Sequence, residues 1–169
     1  EKLYDELADI SRQAAGEAPG LKTLPVFEDP WHDGGADGAL GLGLVLATAV
    51  HVLREMEFRG MPVEDSAARV HFNLCVSSDF FLEISRFRAL RVLWSRILTA
   101  SGVDPATATI QIHARTSRRT GTVLDAHVNM LRSTTQAMSA VLGGVDSLHV
   151  APFDEATSRP DEFSRRIAR

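Results

Sequence analysis

The chain has 169 residues, 44% of them hydrophobic and 24% charged, with a net charge of −4. That is the make-up of an ordinary globular domain, and it argues against a nucleic-acid partner, because no basic patch is interleaved with aromatics. The longest apolar stretch, "ALGLGLVLATAVHVL", is short and Gly-rich for a membrane span, no secretory signal opens the chain, and the single cysteine, Cys75, excludes an intrachain disulfide and fits a reducing cytoplasm.

Leu3, Leu7, Ile10 and Ala14 recur at helical spacing, which predicts a first helix over residues 1–15, broken by "EAPGLK". "LKTLPVF" (21–27) reads as a short strand. It runs into "EDPWHDGGAD", expected to be a strand-to-helix loop with Asp33 near the start of a long helix over 35–58, which Gly60 and Pro62 end. A strand over 68–76 and a helix from Asp79 to about Ala100 follow. After the turn "SGVDP" come a strand over 107–115 and a helix over 125–142 that closes at Gly143–Gly144. A fourth strand covers 146–153, and Pro160 opens a last helix. Both ends fall inside helical patterns, so the segment is expected to be a piece of a larger polypeptide.

Regular alternation of strand and helix predicts an α/β fold with a parallel sheet and right-handed crossovers. Four units make either a small open sheet or half of an eight-stranded barrel. The strands are not the continuous apolar runs of a sheet buried on both sides. Arg69, His71, Asn73 and Cys75 share one face, opposite Val70, Phe72 and Leu74. Gln111, His113 and Arg115 oppose Ile110 and Ile112, and Ser147 and His149 oppose Leu148 and Val150. The apolar face must meet the helices, so the polar face looks the other way. In a barrel that is the bore, and polar groups there need a threaded polar ligand or a hydrogen-bonded plug.

Several residue sets could carry chemistry. His71, His113 and His149 on three successive strands could ligate zinc, but no companion Cys or Glu set accompanies them, and hydrogen bonding within a polar interior is the simpler expectation. Asp29, His32 and Asp33 have the side chains for acid–base work. "GGADGALGLG" matches neither the dinucleotide fingerprint nor the P-loop, so its glycines are expected to permit close helix packing. "RTSRRTG" (115–121) offers three arginines where a phosphate or carboxylate could sit, or else a solvated loop. Ser117 has no nucleophile pattern around it.

Four stretches, "GGADGALGLGLVLATAVHVLREMEFRGMPVED", "DFFLEISRFRALRVLWSRI", "VNMLRSTTQAMSAVLGGVDSLHVAPFDEA" and "DEFSRRIAR", resemble the methylmalonyl-CoA mutase family in that order across essentially the whole chain. The family comprises adenosylcobalamin-dependent acyl-CoA mutases, which isomerise (R)-methylmalonyl-CoA and succinyl-CoA. The resemblance implies a parallel (β/α)8 TIM barrel with coenzyme A threaded along its axis, and about four βα units here, strands four to seven. It also implies that the cobalamin-binding domain, with its Asp-x-His-x-x-Gly motif, lies outside this chain.

Catalytic members of the family carry Ser-Gly-Tyr-His-x-Gln-Glu-Ala-Gly-Ala-Asp at the opening loop. Aligned on "GAD" (35–37), Pro30 stands at the histidine that contacts the substrate thioester, and Asp29 at the tyrosine. His32 takes the glutamine position and Asp33 that of the glutamate near the adenosyl ribose. Likewise His-x-Gln-Thr-Ser-Gly becomes "HARTSR", with Arg115 in place of the glutamine that approaches the adenosyl group. Arg69 matches a CoA-contacting arginine, and His71 replaces a nearby serine. These departures resemble the small, non-catalytic subunit, a cytoplasmic structural partner in a heterodimer with a catalytic large subunit that would bind the adenosylcobalamin. On that reading no residue is catalytic. Arg69, His71, Gln111, His113, Arg115 and His149 remain candidates for acyl-CoA contact, with no metal, nucleic acid or membrane. The runner-up is a working mutase for another acyl-CoA, with His32 and Asp33 catalytic. A third reading is a stand-alone α/β module that takes a phosphorylated ligand on "RTSRRTG".

Overall fold

The computed structural model describes residues 2–157 and 159–169. In chain order the elements are α1 (Lys2–Glu17), β1 (Leu24–Phe27), α2 (Asp29–Asp33), α3 (Gly38–Phe58), α4 (Val63–Ala67), β2 (Val70–Val76), α5 (Phe80–Ala100), β3 (Ile112–Thr116), α6 (Val128–Gly143), β4 (Ser147–His149) and α7 (Glu162–Ile167). The four strands form one parallel sheet in sequence order. Asn73 pairs with His113, His113 with Ser147, and Arg115 with His149, so the polar positions fall in register on one face.

The other face is the core. Val26, Phe72, Leu74, Ile112 and Ala114 are buried there against Val45 and Ala49 of α3, Phe87, Leu90 and Trp94 of α5 and Ala140 of α6. Phe72 and Trp94 meet edge to face with ring centroids 5.1 Å apart. Helices α3, α5 and α6 therefore cover one side of the sheet, as the alternating strands require. Gly143 lies against the Phe87 ring, where a Cβ would come within 2.7 Å, so α5 and α6 approach closely at this point.

Local signals placed most helix boundaries within a few residues, and the differences have local causes. The helix expected over 35–58 starts at Gly38. Asp37 caps it, accepting from the Leu40 N–H at 2.8 Å, and Gly35 with φ +101° separates it from α2. Asp33 is thus the last residue of a separate helical turn, and does not lead into α3. The strands are shorter than expected at their N-terminal ends, beginning at Leu24, Val70 and Ile112, and β4 keeps only three residues. Polar anchors hold the chain before each of the first three strands. Lys22 Nζ donates to the carbonyls of Ala68 (2.6 Å) and Thr109 (3.3 Å), and the Ser11 and Thr23 hydroxyls lie 2.6 Å apart. The short α4 had no helical pattern in the sequence. By length and composition α3 is apolar enough to cross a membrane, unlike the expectation from its apolar stretch. Here Val45, Ala49, Leu53 and Met56 bury its apolar side in the core.

Candidate functional site

Parallel α/β sheets present their sites beyond the carboxyl ends of the strands. At that end of this sheet, "DPWHD" forms the turn α2, with Pro30 in its first positions, where a missing N–H costs nothing. The turn is tied to the residues at the end of β3. Arg115 Nε donates to Asp29 at 2.5 Å, and Arg115 Nη2 to Asp33 at 3.3 Å. His32 Nε2 lies 2.7 Å from Ser117 Oγ, and Arg119 Nη1 donates to the His32 carbonyl at 2.8 Å. His32 is only 4% exposed. Burial holds its imidazole below the ordinary value, helped by the Arg119 and Arg86 charges and opposed by Asp33 and Glu83, so the ring is kept neutral.

A buried ion cluster supports this clasp from the core side. The Glu28 carboxylate, 1% exposed, accepts the Cys75 N–H at 2.8 Å and pairs with Arg86. Arg86 also donates to Glu83 at 2.7 and 3.0 Å and to the Cys75 carbonyl, while Ser77 donates to Glu83 at 2.6 Å. The cluster fixes α2 and the start of α5 to the end of β2. It also explains two glycines of "GGADGALGLG": a Cβ at Gly41 would collide with the Glu28 carboxylate, and one at Gly38 would stand 3.3 Å from the Arg86 side chain. Nothing in the sequence marked Glu28, Glu83 or Arg86 as partners; Arg86 is shared by both acids, and burial, with the Glu83 charge beside it, pushes the Glu28 carboxyl above its ordinary value although Arg86 opposes the shift. Cys75 beside them is buried, and its thiol is pushed up to about 12 by that burial, which makes it inert as a nucleophile.

The polar face of the sheet carries the remaining candidates. Arg69 is 8% exposed and donates to the Leu21 carbonyl at 3.3 Å, at the end opposite the clasp. A recess of about 380 Å³ opens beside it, lined by Lys22, His71, Asn73, Gln111, His113 and Ser147. His113 Nδ1 meets Ser147 Oγ at 2.8 Å, whereas His71 Nδ1 and Asn73 Nδ2 are buried without a protein partner. Burial lowers the pKa of both His71 and His113. His113 adds to this at His71, and His149 at His113, where Asp29 opposes it. His149 is exposed. Among the described residues no group of three or more His, Cys, Asp or Glu side chains is placed to hold a metal ion. Of the arginines in "RTSRRTG", Arg115 and Arg119 are engaged on α2, and only Arg118 points elsewhere, to Glu155 at 3.2 Å.

The family profile described as Methylmalonyl-CoA mutase matches residues 1–169. The methylmalonyl-CoA mutase small subunit of Streptomyces virginiae is 42% identical over 166 residues, which is 98% of this chain and 27% of that protein. The small subunit of Porphyromonas gingivalis is 42% identical over 158 residues, 92% of this chain and 26% of that protein. The methylmalonyl-CoA mutase of Escherichia coli is 32% identical over 164 residues, 96% of this chain and 23% of that protein. The chain spans about a quarter of the length of the curated relatives it matches.

Proposed function

We propose that this chain, which belongs to the methylmalonyl-CoA mutase family, is a segment of a small-subunit-like polypeptide that acts as the structural partner of a catalytic, adenosylcobalamin-dependent large subunit. The fold is read as four units of a (β/α)8 barrel. Consecutive parallel order and helices on one face support that reading and weigh against a stand-alone module. A cytoplasmic parent protein is part of the same proposal, supported by the single cysteine.

The observation that carries the proposal is the clasp. The two groups that the family resemblance would aim at an adenosyl moiety, Asp33 and Arg115, are turned on one another; Asp29 shares Arg115, and His32 is buried on Ser117. A ribose would have to displace an ion pair to reach Asp33 or Arg115, so these residues fit adenosylcobalamin poorly. The same burial weighs against the runner-up, a working mutase in which His32 reaches a thioester carbonyl. Acyl-CoA contact along the polar face stays within the proposal. The unpartnered His71 Nδ1 and the unpartnered Asn73 Nδ2 donor would suit the polar groups of an extended ligand.

The test is mutase turnover of the complete parent polypeptide with adenosylcobalamin and methylmalonyl-CoA, alone and with a catalytic large subunit. Turnover only in the mixture is expected. Turnover by the polypeptide alone, lost in His32→Ala, would overturn the proposal.

A further inference from the structure

Beside the clasp, with Ser117 common to both, a second cleft of about 360 Å³ lies at the carboxyl end of the sheet, between the β3–α6 loop and the chain that follows β4. We propose that this cleft binds a small organic anion: one carboxylate or phosphate group on an apolar or aromatic body. This rests on the cleft alone, and stands whether or not the chain pairs with a catalytic subunit.

The floor of the cleft is a closed web of polar groups. Gln136, 2% exposed, donates to Thr120 Oγ1 at 2.7 Å, and Thr120 Oγ1 donates in turn to the Ser117 carbonyl at 3.0 Å. Arg132 Nη1 donates to the Thr120 carbonyl at 2.8 Å, which fixes a half-buried guanidinium and leaves its other N–H groups for a ligand. Asn129, 8% exposed, locks both walls to α6. It pairs with the backbone of Thr122 on one side and donates to the Phe153 carbonyl at 2.9 Å on the other. Arg132 and the two walls are therefore held in place before any ligand arrives, which lowers the ordering cost of binding.

The chemistry of the ligand follows from what faces the space. Arg132 and Arg118 are the cations, and a guanidinium fork matches the geometry of a carboxylate or phosphate. Phe153, stacked on His127 at 5.4 Å, and the adjacent Pro152 supply an apolar wall for the body of the molecule. Glu155 reaches Arg118 at 3.2 Å across the rim, where Arg118 is 66% exposed. An exposed pair of this kind contributes little to stability, so Glu155 acts as a weak internal competitor for the incoming anion. The volume falls in the range of small-molecule sites.

The experiment is calorimetric titration of the complete polypeptide with inorganic phosphate, phenyl phosphate and benzoate, against sodium chloride at matched ionic strength. Expected are saturable binding of phenyl phosphate about tenfold tighter than of inorganic phosphate, and a loss of about tenfold in Arg132→Met. Glu155→Gln should bind more tightly than the parent, because the competitor is gone. Phe153→Ala should erase the advantage of the phenyl group. The relative strength of benzoate and phenyl phosphate tells a carboxylate site from a phosphate site. Should Arg132→Met fail to fold, Glu155→Gln and Phe153→Ala, at the rim and wall, carry the test. Heats that chloride reproduces, or affinities unmoved by both Glu155→Gln and Phe153→Ala, would overturn the proposal.

Discussion

His32 and Ser117 are 85 residues apart in sequence, yet the ring Nε2 and the hydroxyl oxygen are 2.7 Å apart in a buried contact. The imidazole therefore serves as a bolt between α2 and the end of β3. A histidine that closes such a contact has no free nitrogen on that side to offer a substrate.

Replacing that bolt tests its role directly. His32→Ala should destabilise the parent polypeptide by about 2–4 kcal/mol, through a lost buried hydrogen bond and the cavity left behind. Turnover of a mixture with the catalytic subunit should stay unchanged under conditions where the variant is folded. Denaturant unfolding and the coupled assay, run side by side, check both halves; loss of turnover at full folding would contradict the structural role.

Arg115 couples to Asp29 through a partly buried ion pair of 2.5 Å. A double-mutant cycle of Arg115→Gln and Asp29→Asn should show a coupling of about 1 kcal/mol, the range for pairs partly open to solvent. A coupling near zero would mean that the clasp rests on His32 and Arg119 alone.

Two glycines two residues apart on α3 should respond in opposite directions. At Gly41 a Cβ would enter the space of the Glu28 carboxylate, whereas at Gly43 it would meet nothing within 4 Å. Gly41→Ala is expected to cost about 3 kcal/mol or more by prising Glu28 from Arg86. Gly43→Ala should stabilise by about 0.5–1 kcal/mol through helix propensity. Thermal melts of the two variants decide it, and a harmless Gly41→Ala would show that the ion cluster is not tightly held.

The histidines predict a pH dependence. Burial lowers the pKa of His32, His71 and His113 from the ordinary 6.5. For a base with a depressed folded value, the unfolded chain takes up the proton first. Stability is therefore fully present above the unfolded value and is lost as pH falls through the folded one. Each group adds a slope of at most about 1.4 kcal/mol per pH unit inside that window. Unfolding free energy measured from pH 7.5 down to pH 5 should fall, and the double variant His71→Gln/His113→Gln should flatten the curve. An unchanged slope would mean that the polar face is hydrated enough to protonate in place.

Much of the architecture was legible in the chain because its signals are local. Strand–helix alternation, the glycines that end α3 and α6, and the alternation of Arg69, His71 and Asn73 with Val70 and Phe72 depend on neighbours a few residues away. The packing role of the glycine-rich segment and the family resemblance were likewise present in the residue order. The separation of α2 from α3 was missed because the capping residue is Asp37 and not Asp33, a choice made by backbone geometry at Gly35. Only the tertiary structure decided what the acidic loop does. Asp29, His32 and Asp33 have the side chains of an acid–base site, and the same three could have faced solvent or ligand. Parallel register brings Arg115 and Ser117 to the height of α2, and the Glu28–Arg86–Glu83 cluster holds the turn down onto them. Contacts spanning 80 residues and more depend on how two loops converge in space, and no spacing within either loop encodes that distance.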